Sequence, residues 1–242
     1  MPQSAYSLPR VVANQYILTS IIDEDADTIT YAATQKNMSR EVYLRSLRTS
    51  AMQDDRKVRF FVESARLKAR LDHPNIAAPL ELLESDAAWH LSMERINGEP
   101  LDMMVSNGRV LPSITICGLL QQLCRVCIYL DIERIASEPF ALEHTYLMDM
   151  AFRFDNMAVA GPRPRNATKR YLSDATRLIK PLLDRDTPLA WHLQRIMEHM
   201  GKESSWRPLT PVYFNEELTR LQMEMLRIQA GEKAMVSNAY TK

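Results

Sequence analysis

The N-terminal part of the chain carries the short patterns of strands, interrupted by one helical stretch. Five runs rich in β-branched and aromatic residues predict strands, and these runs are Tyr16–Ile22, Thr28–Thr34, Glu41–Leu47, Ala78–Leu83 and Ala88–Glu94. Between the third and fourth runs, Asp54–Leu71 predicts a helix that stops before the His73-Pro74 pair. These elements predict a small five-stranded sheet with one helix, complete by about Ile96.

Beyond Gly98 the apolar residues recur mostly at helical spacing. Four helices are predicted, and they cover Ser113–Glu133, Tyr171–Leu183, Leu189–Met200 and Pro211 to about Gln229. Two short extended pieces, His144–Leu147 and Ala151–Asp155, lie between the first two helices. The predicted fold class is therefore α+β, with a sheet domain over residues 1–96, a helical domain over 97–230 and a tail over 231–242.

Composition excludes several classes of protein. Among 242 residues, 30 Lys and Arg balance 30 Asp and Glu, so no overall field attracts nucleic acid or an anionic membrane. No apolar run reaches the length of about 20 residues that a membrane span needs, and no secretory signal is visible. We therefore expect a cytoplasmic protein with no membrane insertion and no nucleic-acid partner.

The cysteines and glycines bear on candidate chemistry. Cys117, Cys124 and Cys127 all fall in one predicted helix, which by itself cannot complete a tetrahedral zinc site. Buried thiols are the preferred interpretation, and no metal site or cofactor is predicted. With only 6 glycines in the chain, a glycine-rich loop for phosphate is not expected.

The order of strands, helix and helical region resembles the protein kinase fold, particularly that of bacterial Ser/Thr kinases. Three strings carry the resemblance, and they are RFFVESARLKARLDHPNI, HLSMERINGEPL and KESSWRPLTPVYFNEEL. The resemblance extends over Tyr16 to Leu221 and implies a bilobal fold, with a β-sheet N-lobe and a mainly helical C-lobe. The C-lobe is expected to be shortened, because the chain has no Ala-Pro-Glu string and lacks a full activation segment.

The resemblance implies that the phosphate-binding positions of the N-lobe have changed. Kinases hold ATP phosphates under a Gly-x-Gly-x-x-Gly loop and orient them with a Lys on the third strand. By the resemblance, the three glycine positions are Asp23, Asp25 and Thr28, and the Lys position is Arg45. Two carboxylates would repel a triphosphate, so ATP binding is expected to be weak or absent.

The catalytic positions of the C-lobe have changed as well. By the resemblance, Pro139 replaces the catalytic Asp, His144 replaces the Asn that binds Mg²⁺, and Asn156 replaces the Asp of Asp-Phe-Gly. Proline cannot act as a general base, and His is a poor ligand for Mg²⁺. Asp155 lies one residue earlier on a strand and is expected to face the opposite way. Asp174 corresponds to the residue that braces the catalytic loop.

A structural ion pair is predicted between Arg45 and Glu63. Glu63 falls on the same predicted helix face as Phe60 and Leu67, where a carboxylate needs a cation. The alternative is a surface pairing of Glu63 with Arg59 or Arg66 on neighbouring turns.

Bulky residues occupy the positions that the resemblance assigns to the adenine pocket. Tyr43 stands at the roof, Tyr146 at the floor, and Met93 beside them on the fifth predicted strand. We expect these side chains to occlude the pocket. The alternative is that either tyrosine turns outward to a wet edge.

The last predicted helix carries a continuous apolar seam. Its members repeat at intervals of four and three residues, and they are Phe214, Leu218, Leu221, Met225 and Ile228. One interpretation is a contact surface for a protein partner or a second copy of the chain, because the seam outruns the expected lobe. The other is that the helix folds back over its own lobe.

Three functions follow from these residues. The first is a pseudokinase, a catalytically inactive module for signalling that binds, scaffolds or regulates a protein partner and is not an enzyme. The second is a divergent Ser/Thr kinase that uses Asp149 or Asp155 with Arg45. The third is an inactive domain that senses nucleotide.

Overall fold

This computed structural model describes residues 8–138, 140–148, 151–155, 158–162, 167–200 and 210–240. The strands and helices, in chain order, are β1 (Arg10–Val12), β2 (Tyr16–Glu24), β3 (Thr28–Gln35), β4 (Arg40–Leu47), α1 (Asp55–Lys68), β5 (Pro79–Ser85), β6 (Ala88–Glu94), β7 (Glu99–Pro100), α2 (Leu101–Ser106), α3 (Ser113–Glu133), β8 (Ala136–Ser137), β9 (Thr145–Met148), β10 (Ala151–Phe154), β11 (Ala158–Val159), α4 (Ala167–Ile179), α5 (Ala190–Met200) and α6 (Pro211–Tyr240). The predicted α+β class is confirmed.

Contacts divide the chain into two compact units. The first contains Met1–Asn97 and Asn156–Pro162, and the second contains Gly98–Asp155 and Arg163–Lys242. The first unit is built on a sheet, and the second is mainly helical.

The first unit holds an antiparallel sheet of six strands in the order β1-β2-β3-β4-β6-β5. This is one strand more than the pattern predicted, because β1 has only three residues and is too short to show alternation. The other five strands lie within three residues of their predicted bounds. Their runs of β-branched and aromatic residues were recognisable because most of these side chains are buried on one sheet face or the other.

The sheet of the first unit has two buried faces. One face is a cluster around Tyr16, Tyr31 and Leu44. The other face includes Tyr43 and Leu47 and packs against α1. Arg45 lies between these last two residues on β4, so alternation places its side chain on the α1 face.

Helix α1 presents a different face to the sheet from the one predicted. Its N-cap is Asp54, whose carboxylate accepts a hydrogen bond from the Arg56 N–H at 2.9 Å. The buried residues are Phe61, Val62, Ser64, Ala65 and Lys68, whereas Phe60 is 51% exposed and Glu63 is exposed. The helix carries two overlapping apolar stripes, and the stripe through Phe61 and Ala65 is the one buried.

The second unit is organised around α3. This helix is long and apolar enough to cross a membrane by length and composition, yet most of it is buried inside the unit. Helix α6 packs along it, and the Cys117 thiol donates a hydrogen bond to the Leu218 carbonyl at 3.2 Å. The Gln121 amide donates to the Thr219 hydroxyl at 3.2 Å. Helix α3 is therefore the core helix of this unit.

The apolar seam of α6 belongs to the core of the second unit. The side chains of Phe214, Leu218, Leu221 and Met225 are at most 2% exposed, and Ile228 is partly buried. The prediction of a contact surface built from these residues is therefore wrong, and the alternative that the helix folds back is correct. The helix begins after the N-cap Thr210, whose hydroxyl accepts from the Tyr213 N–H at 3.2 Å, and continues through residues predicted to form the tail.

Candidate functional site

The turn between β2 and β3 is built around the carboxylate of Asp25. Its Oδ1 accepts hydrogen bonds from the backbone N–H groups of Asp27 and Thr28, each at 2.7 Å. Its Oδ2 accepts from the Thr28 hydroxyl at 2.7 Å and from Arg45 Nη2 at 3.2 Å. Burial raises the pKa of Asp25, but the hydrogen bonds from Thr28 and Asp27 and the charge of Arg45 outweigh it and lower the pKa.

Arg45 pairs within the sheet and not with α1. Its Nε donates to the Thr28 hydroxyl at 3.1 Å, while its Nη2 contacts Asp25. Glu63 is exposed on the outer side of α1. The predicted Arg45–Glu63 ion pair is therefore wrong, because α1 turns a face toward the sheet that excludes Glu63.

Two further ion pairs fasten the same turn. Arg48 Nη2 lies 2.6 Å from Glu24 Oε2, and Arg48 Nε donates to the Asp25 carbonyl at 2.9 Å. Lys57, on α1, lies 2.5 Å from Asp27 Oδ1. Glu24, Asp25 and Asp27 are thus each paired with a cation of the same unit, an arrangement that the local sequence did not predict.

A second group of titratable side chains lies where the β9–β10 hairpin opens. Phe154 pairs with Thr145 in the hairpin register, and the Asp155 N–H donates to the His144 carbonyl at 2.8 Å. Asp155 therefore lies opposite His144, with Asp155 Oδ2 at 3.8 Å from His144 Nδ1. The nearby carboxylate of Asp155 raises the pKa of His144 against the opposing effect of burial.

The carboxylate of Asp155 is mostly buried and partly unsatisfied. Its side chain is 11% exposed, and its Oδ1 has no hydrogen-bond partner among the described residues. A buried oxygen without a partner is costly unless a ligand or ion supplies one. Asp155 thus lies beside His144 with one carboxylate oxygen that could accept a ligand, and the expectation that it faces the opposite way from Asn156 stays a prediction.

The position of Asp155 beside His144 bears on the metal-binding residues that the resemblance to kinases implies. The family's Asp and Asn hold the same pair of Mg²⁺ ions, so they must lie close together. The resemblance assigns the Asn position to His144, and the structure places Asp155 beside it. The assignment of the Asp position to Asn156 stays a prediction, because Asn156 lies outside the described residues.

The donor set fits a divalent metal only in part. A carboxylate suits Mg²⁺, which is usually held by one or two carboxylates together with substrate phosphates. The imidazole of His144 suits transition metals better than Mg²⁺. Over the described ranges, no group of three or more His, Cys, Asp or Glu residues could hold a metal ion without such help.

The remaining predicted site residues have separate outcomes. Tyr43 and Met93 are buried in the first unit, and Tyr146 is buried in the second, so the occluded adenine pocket stays a prediction. Asp174 contacts Arg177 one turn along α4 at 3.4 Å. Its role in bracing the catalytic loop also stays a prediction, because Pro139 of that loop lies outside the described residues. Asp149, the other candidate acid, lies outside them as well.

Ser64 makes a contact that its sequence pattern did not predict. Its hydroxyl accepts a hydrogen bond from the Ala160 N–H at 2.9 Å, so α1 holds the segment that contains β11. The buried stripe of α1 includes Ser64. A prediction that the stripe through Phe61 and Ala65 is the buried one would have placed Ser64 among the buried residues.

Comparison with known proteins confirms the resemblance to kinases. No family model matches the chain. Serine/threonine-protein kinase pkn3 of Myxococcus xanthus is 27% identical over 106 residues, which is 43% of this chain and 19% of that protein. PrkC of Bacillus subtilis is 28% identical over 102 residues, or 42% of this chain and 16% of that protein. The chain thus spans less than a fifth of the length of these relatives.

Solved structures extend the likeness to most of the chain. The PknI kinase domain of Mycobacterium tuberculosis has a TM-score of 0.67 at 14% identity, covering 91% of this chain and all of that one. The chain therefore has the protein kinase-like fold. The prediction that it is not an enzyme is contradicted, because the relatives are named Ser/Thr protein kinases and the matching structure is a kinase domain.

Proposed function

We propose that this chain is a divergent Ser/Thr protein kinase domain that binds a metal–nucleotide complex through Asp155 and transfers phosphate to a protein hydroxyl. The observation that carries the proposal is the carboxylate of Asp155, opposite His144, with one buried oxygen lacking a partner. The relatives that carry the name of Ser/Thr kinase support the reaction class. The partner is accordingly a protein with an accessible Ser or Thr.

Phosphoryl transfer requires little covalent chemistry from the residues of the protein. Catalysis depends mainly on positioning and on stabilising charge, and a metal held by Asp155 would supply positive charge. Pro139 offers no general base, and such a base contributes typically 10²–10⁴-fold. We therefore expect phosphate transfer about two to four orders of magnitude slower than in kinases that keep the base.

His144 is expected to affect the choice of metal. Divalent transition metals accept imidazole nitrogen more readily than Mg²⁺ does. Mn²⁺ accepts carboxylate and phosphate oxygens as well. We expect Mn²⁺ to support nucleotide binding and phosphate transfer better than Mg²⁺.

The test measures incorporation of phosphate from γ-labelled ATP into the chain itself and into an added protein with exposed Ser and Thr. Asp155→Asn should reduce incorporation at least tenfold, because it removes the anionic ligand. Asp186→Asn is the matched control, since it makes the same change at an exposed position of the second unit and should leave incorporation unchanged.

Nucleotide binding is measured separately by thermal unfolding. Ligand binding stabilises the folded form by an amount set by its concentration relative to Kd. ATP with Mn²⁺ should raise the Tm of the wild type and of Asp186→Asn but not of Asp155→Asn. The proposal fails if the wild type incorporates no label with either metal, or if Asp155→Asn incorporates as much as the wild type.

A further inference from the structure

The cation that corresponds to the phosphate-orienting Lys of kinases already has an anionic partner in this chain. Arg45 Nη2 lies 3.2 Å from Asp25 Oδ2, and Arg45 Nε donates to the Thr28 hydroxyl that also donates to Asp25. We infer that Asp25 is an intramolecular competitor for phosphate at Arg45, and that its removal opens an anion-binding site. The choice of a nucleotide phosphate as the natural ligand rests on the proposed function.

Arg45 is suited to phosphate by chemistry and position. A guanidinium binds phosphate oxygens with two donors at once. The Asp25 contact uses only Nη2, and this guanidinium makes no hydrogen bond to a described residue other than Asp25 and Thr28. Its side chain is 21% exposed, so a ligand from solvent can reach the donors that remain.

Asp25 is placed as a phosphate oxyanion would be. It accepts hydrogen bonds from two backbone N–H groups, one hydroxyl and one guanidinium. A phosphate group uses the same kinds of donor. Because the side chain of Asp25 is 48% exposed, its ion pair with Arg45 is weakened by solvent, and Asp25 stays in contact with water when the pair opens.

The rest of the turn is held independently of the Asp25–Arg45 contact. Arg48 pairs with Glu24, and Lys57 pairs with Asp27. The substitution Asp25→Asn keeps an oxygen that can accept the backbone N–H bonds, while it removes the negative charge beside Arg45. Glu24→Gln makes the same charge change on the same turn, one residue away, at the partner of Arg48.

The experiment measures binding of inorganic tripolyphosphate by calorimetry, in a chelating buffer without divalent metal. We expect Asp25→Asn to bind at least tenfold more tightly than the wild type, and Glu24→Gln to differ from it by less than threefold. Adding Arg45→Gln to Asp25→Asn should abolish the gain. The conservative double variant with Arg45→Lys should keep part of it, and thermal unfolding of every variant confirms that each is folded.

Equal affinities for Asp25→Asn and Glu24→Gln would overturn the inference, because the effect would then be one of general charge. A gain that survives Arg45→Gln would overturn it too. These outcomes are independent of phosphate transfer, since the assay contains neither ATP nor metal. If the tripolyphosphate gain is found but label is never transferred from ATP, the inference stands and the proposed function fails.

Discussion

Two methionines on α6 offer a direct test of whether its apolar seam is part of the core of the second unit. Met225 is 1% exposed and lies in the apolar seam, whereas Met223, two residues earlier, is 52% exposed. The substitution Met→Ala is chemically identical at both positions. A difference in stability therefore reports only the surroundings of each side chain.

The cost at Met225 can be worked from the groups that it loses. Truncation removes three side-chain heavy atoms from a fully buried site, or roughly 2.4 kcal/mol at about 0.8 kcal/mol per buried group. An unfilled cavity of about 40 Å³ adds roughly 1 kcal/mol. We therefore expect the free energy of unfolding to fall by about 3 kcal/mol for Met225→Ala. At Met223 the change should stay within about 0.5 kcal/mol.

The assay is thermal unfolding followed by circular dichroism, with sedimentation velocity on the same samples. A loss of about 3 kcal/mol corresponds to a Tm lower by roughly 6–12 °C for a chain of this size. The reasoning is refuted if the two variants unfold at the same temperature. It is also refuted if Met225→Ala dissociates an oligomer while the Tm of the monomer is unchanged, because the seam would then be an interface.

Three further outcomes are expected. The cysteines of α3 are buried thiols, and burial raises the pKa of two of them to about 12, so none should react with a thiol reagent at pH 8 until the chain is unfolded in guanidinium. Burial also lowers the pKa of His90, whose Nδ1 lies 2.7 Å from the Ser46 hydroxyl. As pH falls, His90 is therefore protonated in the unfolded state before it is protonated in the folded state, so the free energy of unfolding should decrease below about pH 6.5. Urea titrations should show a weaker pH dependence for His90→Gln. Finally, a Cβ on Gly98 would lie 2.9 Å from the Leu147 carbonyl oxygen, whereas one on Gly231 in α6 would meet nothing within 4 Å. Gly98→Ala should therefore lower the free energy of unfolding by about 1–3 kcal/mol. Gly231→Ala should raise it by up to about 1 kcal/mol, and thermal unfolding measures both changes.

The strands and α3 could be predicted because the apolar pattern of each element is compatible with only one arrangement of buried residues. In β4 the apolar residues Val42, Tyr43 and Leu44 are buried in succession because both faces of the sheet are covered, and α3 is apolar around most of its surface because it is buried in the second unit. The buried face of α1 could not be predicted in the same way. Its sequence contains adjacent apolar residues at Phe60 and Phe61, so two stripes compete, and only packing against the sheet selects one.

The contacts of the candidate site depend on pairing between strands. Only two residues separate β9 from β10, and this short connection places Asp155 opposite His144. Asn156, the residue that the family pattern indicated, lies outside the described residues. Arg45 was predicted to pair with Glu63, whereas in the structure it pairs with Asp25 across the sheet. Neither the hairpin register nor the cross-strand partner of Arg45 is encoded in a local pattern, since both depend on pairing with a neighbouring strand.

Asp155 and Arg45 differ in whether their charged groups already have partners within the chain. Asp155 keeps a carboxylate oxygen without a partner among the described residues, and an unsatisfied acceptor favours the binding of a cation. Arg45 has its charge matched by Asp25 and its Nε bonded to Thr28, and a satisfied cation gains less from an incoming anion. We therefore expect divalent metal to bind the wild type at lower concentration than tripolyphosphate does. Asp25→Asn should tighten the binding of tripolyphosphate and leave the affinity for metal unchanged, and calorimetric titrations of each ligand separately measure both affinities.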